Sequence, residues 1–170
     1  MPERIKIGFI GFGNMAQALA DGLLCKGAAQ PEQLYVCAKD WDKLCRNAQA
    51  RGVHPCRDAR ELAEAANLVV IAVKPYLVEE VIAPIREVLQ GKIVVSVVAG
   101  FPFARYESIL LPGTHHLSTL PNTPVAVGEG VIICDSLHSL SPEEYRAFES
   151  LFSQIGIVQL VDTPQMSVAG

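Results

Sequence analysis

Long apolar runs are missing from this sequence: no stretch reaches the roughly 20 residues that a membrane-spanning helix needs. Basic blocks are missing too. The formal net charge is −4 and aromatic residues make up only 6% of the chain, which argues against a nucleic-acid surface of clustered cations interleaved with rings. None of the five cysteines (Cys25, Cys37, Cys45, Cys56, Cys134) stands in C-x-x-C spacing with another. Their odd number and the apolar surroundings of several predict buried free thiols rather than disulfides or a metal site. His115-His116 is the one adjacent histidine pair, with no carboxylate or cysteine at ligand spacing, so it reads as a strand position. There is no Ser-His-Asp arrangement, repeat or low-complexity tract. The first strand begins within a few residues of Met1, which leaves no room for a signal peptide. Together these absences predict a cytoplasmic protein with no membrane, nucleic-acid or metal partner.

What the sequence does have is core material in the right order. Half of the 170 residues are hydrophobic, enough for one well-packed domain. Short apolar runs suited to buried parallel strands occur at Ile5–Ile10, Gln33–Ala38, Asn67–Val73 and Lys92–Val98, with further extended segments at Gly52–His54, His115–Thr119, Val125–Cys134 and Ile157–Val161. Helical segments separate them. Asp40 and Asp58 read as N-caps, Asp58 with Glu61 in a capping-box relation. Ser141-Pro142-Glu143-Glu144 is a strong helix start, and Pro84 is expected to kink or restart the helix over Leu77–Leu89. Asp162–Gly170 reads as turn-like. This alternation predicts a doubly wound, Rossmann-like α/β fold, with a mostly parallel sheet and helices on both faces.

The stretch with most chemical content follows the first strand. Ile10, Gly11, Phe12, Gly13, Asn14, Met15 and Ala16 contain the pattern G-x-G-x-x-A between an apolar strand and a helix-forming run. Gly11 permits a tight turn, Gly13 lets backbone approach a pyrophosphate, and Ala16 lets the helix pack on the strand. The helix then offers unpaired N–H groups and its positive dipole end to phosphates.

Ligands of doubly wound sheets bind beyond the carboxyl ends of the strands. The loops there are Gly11–Ala16, Ala38-Lys39-Asp40, Lys74-Pro75-Tyr76 and Ala99-Gly100, with the Asn122 loop as a further member. An acid ending the second strand would hold a ribose 2′-hydroxyl and select NAD. That strand ends in Ala38-Lys39 instead, and capping already explains Asp40. Lys39 suits a 2′-phosphate, which favours NADP(H), with NAD(H) as the alternative. Lys74 ends a hydrophobic strand and reads either as a group near a cofactor or as a helix-entry lysine.

With these loops in view, the chain resembles the N-terminal dinucleotide-binding domain of pyrroline-5-carboxylate reductases. The matching segments are Gly8–Ala16, Ala72-Val73-Lys74-Pro75, Ser96–Gly100 and Pro121-Asn122-Thr123-Pro124. The resemblance implies reduction of the C=N bond of 1-pyrroline-5-carboxylate to L-proline by hydride transfer from NAD(P)H. It implies that Ile10–Met15 cradle the pyrophosphate, and that Ala72, Val73, Lys74 and Pro75 with Val97, Val98 and Ala99 line the ribose and nicotinamide. Asn122 and Thr123 would lie near the substrate, and no catalytic side chain is assigned. The full-length protein would be a homo-oligomer.

Several positions depart from the family pattern. Ser118 and Leu120 stand where Arg and Met are common before Pro-Asn-Thr-Pro. Tyr76 replaces a common Gln, Ala59 stands near a frequent Asn, and Ala38 precedes Lys39 where Asn or Ser commonly precedes Arg. Met166–Gly170 resembles the start of the segment that opens the family's C-terminal helical domain. The resemblance therefore implies a dinucleotide-binding domain over 1–162, and over 163–170 the start of a connection to a helical dimerisation domain that the sequence lacks. By itself, the chain is expected to bind cofactor better than it turns over. Two other readings stay open: a Rossmann reductase of another substrate, such as a 3-hydroxyacid or ketopantoate dehydrogenase, and a non-catalytic NADP-binding regulatory module.

Overall fold

In the computed structural model, which describes residues 5–169, the apolar runs become strands at the centre of the molecule. Strands β1 (Ile7–Ile10) and β4 (Leu68–Ile71) are buried at every residue. A parallel strand covered on both faces needs such uninterrupted hydrophobicity. β1 pairs in parallel with β4 on one side and with β2 (Leu34–Cys37) on the other. Outward from β2 lies β3 (His54–Pro55), and outward from β4 lie β5 (Ile93–Ser96) and β6 (His115–Pro121), all parallel. Strand β7 (Gly130–Asp135) runs antiparallel to β6, and β8 (Gly156–Val161) parallel to β7. The sheet order is thus β3-β2-β1-β4-β5-β6-β7-β8, and the order in which strands are added reverses between β1 and β4. The doubly wound, mostly parallel architecture expected from the sequence is the one found.

Alternation along the strands divides the core in two. Phe9 and Val70 face one layer with Leu19 and Leu23 of α1 (Asn14–Cys25), Leu44 of α2 (Trp41–Arg51) and Phe148 of α7 (Pro142–Phe152). Ile10, Val69 and Ile71 face the other, with Leu62 of α3 (Ala59–Ala65), Ile82 of α4 (Val78–Ile82), Leu89 of α5 (Arg86–Leu89) and Tyr106 of α6 (Phe103–Ile109). Pro84 separates α4 from α5 through a 3-10 turn at Ala83–Ile85, as its missing N–H requires.

The helix starts follow the sequence closely. Asp40 accepts from Lys43 N at 3.1 Å and Asp58 from Glu61 N at 2.8 Å. Ser141 and Glu144 form a reciprocal capping box, at 3.1 and 2.7 Å. Glu61 differs from expectation. Its carboxylate accepts from Arg57 N at 2.8 Å rather than from Asp58 N, so the box at Asp58 is not closed.

Two spans are corrected. Val125–Cys134 is not one broken strand: Thr123–Val127 is a 3-10 helix, and β7 begins only at Gly130. Pro124 starts that helix and Gly128, at φ +78°, ends it. Nor is the segment after Asp162 a turn: Thr163–Ala169 forms helix α8, with Pro164 in its first turn, where proline is tolerated. Of the expected domain spans, residues 1–4 and 170 lie outside the described residues.

All five cysteines are free, as expected. Burial holds for Cys37, Cys56 and Cys134, whereas Cys45 is half-buried and Cys25, at the end of α1, is exposed. Both histidines of the pair lie in β6, His115 on Glu144 and His116 on Glu107, each at 2.6 Å. Burial pushes the His116 pKa down, against the opposing pull of Glu107.

Gly22 lies in the middle of α1, where helix propensity alone disfavours it. Its reason is contact: a Cβ there would stand 2.1 Å from the carbonyl oxygen of Val125. Propensity predicts that Gly22→Ala stabilises by about 1 kcal/mol. The packing predicts the opposite sign, a loss of about 1–3 kcal/mol from overpacking, readable as a lower urea midpoint.

Candidate functional site

At the reversal of strand order, the tips of β1, β2, β4 and β5 open into a cleft of about 700 Å³. Its floor is the turn off β1. Gly11 has φ +92°, and its amide donates to the Cys37 carbonyl at the tip of β2, 2.9 Å away. A Cβ on Gly11 would lie 2.6 Å from the carbonyl oxygen of Ala72, just past β4. The turn is therefore closed against both neighbouring strands, and glycine is required there by the protein itself.

Gly13 is a different case. It caps α1 with φ −84°, and among the described residues a Cβ on it would meet no atom within 4 Å beyond its own neighbours. Among the described residues no side chain caps this helix. The first-turn amides of Asn14, Met15 and Ala16 have no carbonyl one turn back to bond, and all three residues line the cleft. A small residue, open space and free donors thus coincide at one helix end.

A network that sequence spacing does not suggest holds this loop. Gln17 Nε2 donates to the Phe12 carbonyl at 2.8 Å, and Gln17 Oε1 accepts from Arg51 Nη2 at 3.2 Å. Arg51 also grips Asp21 with two hydrogen bonds, at 2.6 and 3.1 Å, and lies 5.4 Å from the centre of the Phe12 ring. Its residues are far apart in the chain and meet because α1 and α2 share one face of the sheet.

The cleft is lined by every residue assigned from the sequence to the cofactor: Ile10, Gly11, Phe12, Gly13, Asn14, Met15, Lys39, Ala72, Val73, Lys74, Pro75, Val97, Val98 and Ala99. Asn122 and Thr123 are not brought there. Both are exposed, and Asn122 is bonded to Val131 of β7 through its amide (3.2 Å) and its side-chain carbonyl (2.8 Å). The chain turns from β6 into antiparallel β7 at this point, which carries the loop away from the cleft.

The sequence reading missed Arg57, Asp58, Cys37, Leu77 and Val81 as lining residues, whereas Ala59, singled out by its place in the family pattern, does line the cleft. Arg57 matters most. Its guanidinium lies 3.8 Å from the centre of the Trp41 ring and lines the same cleft as Lys39. The signal was its place beside the Asp58 cap, at the first turn after β3. Asp40 is absent from the lining and spends its side chain on capping α2. Among the described residues the charged groups lining the cleft are thus Lys39, Arg57 and Lys74, with Asp58 as the one acid.

Cys37 also lines the cleft, but burial pushes its thiol up to about 12. Burial likewise raises Cys56 to about 11 and Cys134 to about 12. At pH 8 these thiols are almost wholly protonated, and the thiolate is the reactive form. Iodoacetamide at pH 8 is expected to label Cys25 first and leave those three unmodified until the protein unfolds. Peptide mass mapping reads the order, and prompt labelling of Cys37 would contradict this account.

Comparison with known proteins agrees with this geometry. The chain is 36% identical to the pyrroline-5-carboxylate reductase of Treponema pallidum over 170 residues, covering 98% of this chain and 64% of that protein. The crystal structure of Plasmodium falciparum pyrroline carboxylate reductase with NADP bound superposes with a TM-score of 0.87 at 26% identity, over 98% of this chain and 61% of that one. The pyrroline-5-carboxylate reductase of Coxiella burnetii gives 0.86 at 28% identity, over 96% of this chain and 62% of that one. The chain therefore spans less than two thirds of the length of each of these relatives. The resemblance read from the four loops is borne out by them. Residues 6–100, which hold β1 to β5 and the whole floor of the cleft, match the family model described as NADP oxidoreductase, coenzyme F420-dependent, and the chain belongs to that family.

Proposed function

We propose that this chain is the NADP(H)-binding part of a reductase that converts 1-pyrroline-5-carboxylate to L-proline. The observation that carries the reading is the coincidence, in one cleft, of an uncapped α1 N-terminus, a Gly13 whose missing Cβ leaves open space, and the cations Lys39 and Arg57. A dinucleotide fits this donor set. The amides at Asn14–Ala16 and the helix dipole suit a pyrophosphate. Lys39 and Arg57 suit a ribose 2′-phosphate. Arg57 presents a planar fork already braced on Trp41, and Asp40, the acid that follows β2, caps α2 and is not in the cleft lining.

When bound, the cofactor supplies the hydride. The chain's own residues bind and orient. The Gly11–Ala16 turn fixes one end, and Val97, Val98 and Ala99, after β5, form the wall toward which the nicotinamide would extend. Among the described residues the cleft offers no nucleophile with an adjacent base. A protonated imine is already electrophilic, so the reaction asks chiefly for alignment of donor and acceptor. The relatives whose names carry this activity support the substrate assignment.

The same reading extends to the organisation of the protein. Residues 1–162 form the dinucleotide-binding domain, and α8 opens the connection to a helical domain through which the longer protein forms a homo-oligomer. Asn122 and Thr123 would face the substrate in that assembly. The net charge of −4 favours a small-molecule partner over nucleic acid, and the resemblance favours a cytoplasmic enzyme.

Calorimetry on this chain tests the cofactor assignment. NADPH is expected to bind more tightly than NADH, and Lys39→Ala or Arg57→Ala each to weaken NADPH by about tenfold while leaving NADH unchanged. Gly13→Ala is expected to weaken both cofactors with a change in stability below about 1 kcal/mol, because only the ligand needs the space. Gly11→Ala is expected to lower stability itself. If neither cofactor binds, the reading of the cleft fails. The substrate assignment is tested in the longer protein, by loss of NADPH absorbance on adding 1-pyrroline-5-carboxylate; cofactor binding without turnover there would favour the regulatory module.

A further inference from the structure

A second cavity, of about 330 Å³, lies beyond Val98, between the sheet and helix α8. Its walls include Ser118 of β6, Asp135 of β7 and Thr163 of α8. The antiparallel ladder of β6 and β7 ends with Thr119 paired to Cys134, and continued by one residue it puts Ser118 across from Asp135, in keeping with both lining the one cavity. Asp135 is 1% exposed. Its Oδ1 accepts from Leu137 N at 2.9 Å and from Thr163 Oγ1 at 2.8 Å, and among the described residues it forms no ion pair. The nearby base is His138, whose Nδ1 accepts from Leu140 N at 3.1 Å. An imidazole accepting at that nitrogen is neutral, so it brings no positive charge. Across the ladder, the Ser118 hydroxyl is buried and, among the described residues, has no hydrogen-bond partner.

A buried carboxylate without a counter-charge is costly, and so is a buried hydroxyl without a partner. Here the two face each other on neighbouring strands beside an opening large enough for a small molecule. The carboxylate wants a cation, the unpaired hydroxyl wants a polar neighbour, and Thr163 already donates from the far side. We propose that this cavity binds a small organic cation with N–H donors, an ammonium or guanidinium head group, held by Asp135 and Ser118. The site is independent of the cofactor cleft and of the reaction proposed for it, although the two share the wall at Val98.

The test uses methylguanidinium and methylammonium on this chain at constant ionic strength, without cofactor. Tetramethylammonium, which has the same charge and no N–H, is the control. At least one of the two probes is expected to give a saturable rise in melting temperature that the control does not, and to shift the amide resonances of Leu137 and Thr163. Asp135→Asn is expected to weaken that probe at least tenfold. Ser118→Arg supplies a tethered guanidinium, and is expected to raise the melting temperature and abolish the response. The second variant keeps the test decisive if Asp135→Asn fails to fold. Equal responses to probes and control, an undiminished response in Asp135→Asn, or a Ser118→Arg protein that still binds the probe would overturn the proposal, as would a cavity that takes up only water.

Discussion

The hydrogen bond from Gly11 N to the Cys37 carbonyl, together with the close approach of Gly11 to the carbonyl of Ala72, joins the tips of three adjacent strands. This one constraint shapes the rest of the site. Because the order of strands reverses between the parallel neighbours β1 and β4, the connections that follow them leave to opposite faces and their tips open into the cleft. Because the turn is tight, α1 begins at once and its amino end points over that opening. A side chain at Gly11 would both force a strained φ and push β4 away. The two glycines of the motif thus answer different demands: Gly11 serves the strands, and Gly13 leaves room for something outside the protein.

Around this turn the structure invests in rigidity. Gln17, Asp21 and Arg51 tie the loop carbonyl of Phe12 to both α1 and α2, and Arg51 is only 17% exposed. A charge-assisted, bidentate pair at that burial is worth more than an open surface ion pair. The cations that face the cleft are left unspent by comparison. Among the described residues, Lys39 and Lys74 form no ion pair, and Arg57 rests on the Trp41 ring. Fixed scaffold below and free positive charge above suit an anionic ligand that must be held in one pose.

Much of this was legible in the sequence because it is local. The apolar runs of β1 and β4 are too continuous for anything but doubly covered strands, and the G-x-G-x-x-A turn is contained in a few residues. The caps at Asp40, Asp58 and Ser141 are likewise short-range events. What escaped depends on pairing between distant segments. Arg57 reaches the cleft only because β3 lies beside β2, and the Arg51 clamp exists only because α1 and α2 share a face. Val125–Val127 read as the start of a strand because their apolar residues resemble one, yet with the Val125 carbonyl seated against Gly22 they close a 3-10 helix that begins at Thr123. Thr163–Ala169 read as turn because Asp162, Thr163 and Pro164 are turn formers, and they are also helix starters. Ser118 stood out only as a departure from the family pattern and Asp135 not at all, and the two are brought together by the antiparallel pairing of β6 and β7.

The central claim is that the cleft at the β1–β4 reversal takes a 2′-phosphorylated dinucleotide. Backbone amide NMR of this chain titrated with NADP+ tests it most directly. The account predicts saturable shifts that are largest at Asn14, Met15 and Ala16, with Lys39 and Arg57 following only when the 2′-phosphate is present and unmoved when NAD+ is used instead. Saturable shifts centred away from these residues, or none at millimolar NADP+, would contradict it.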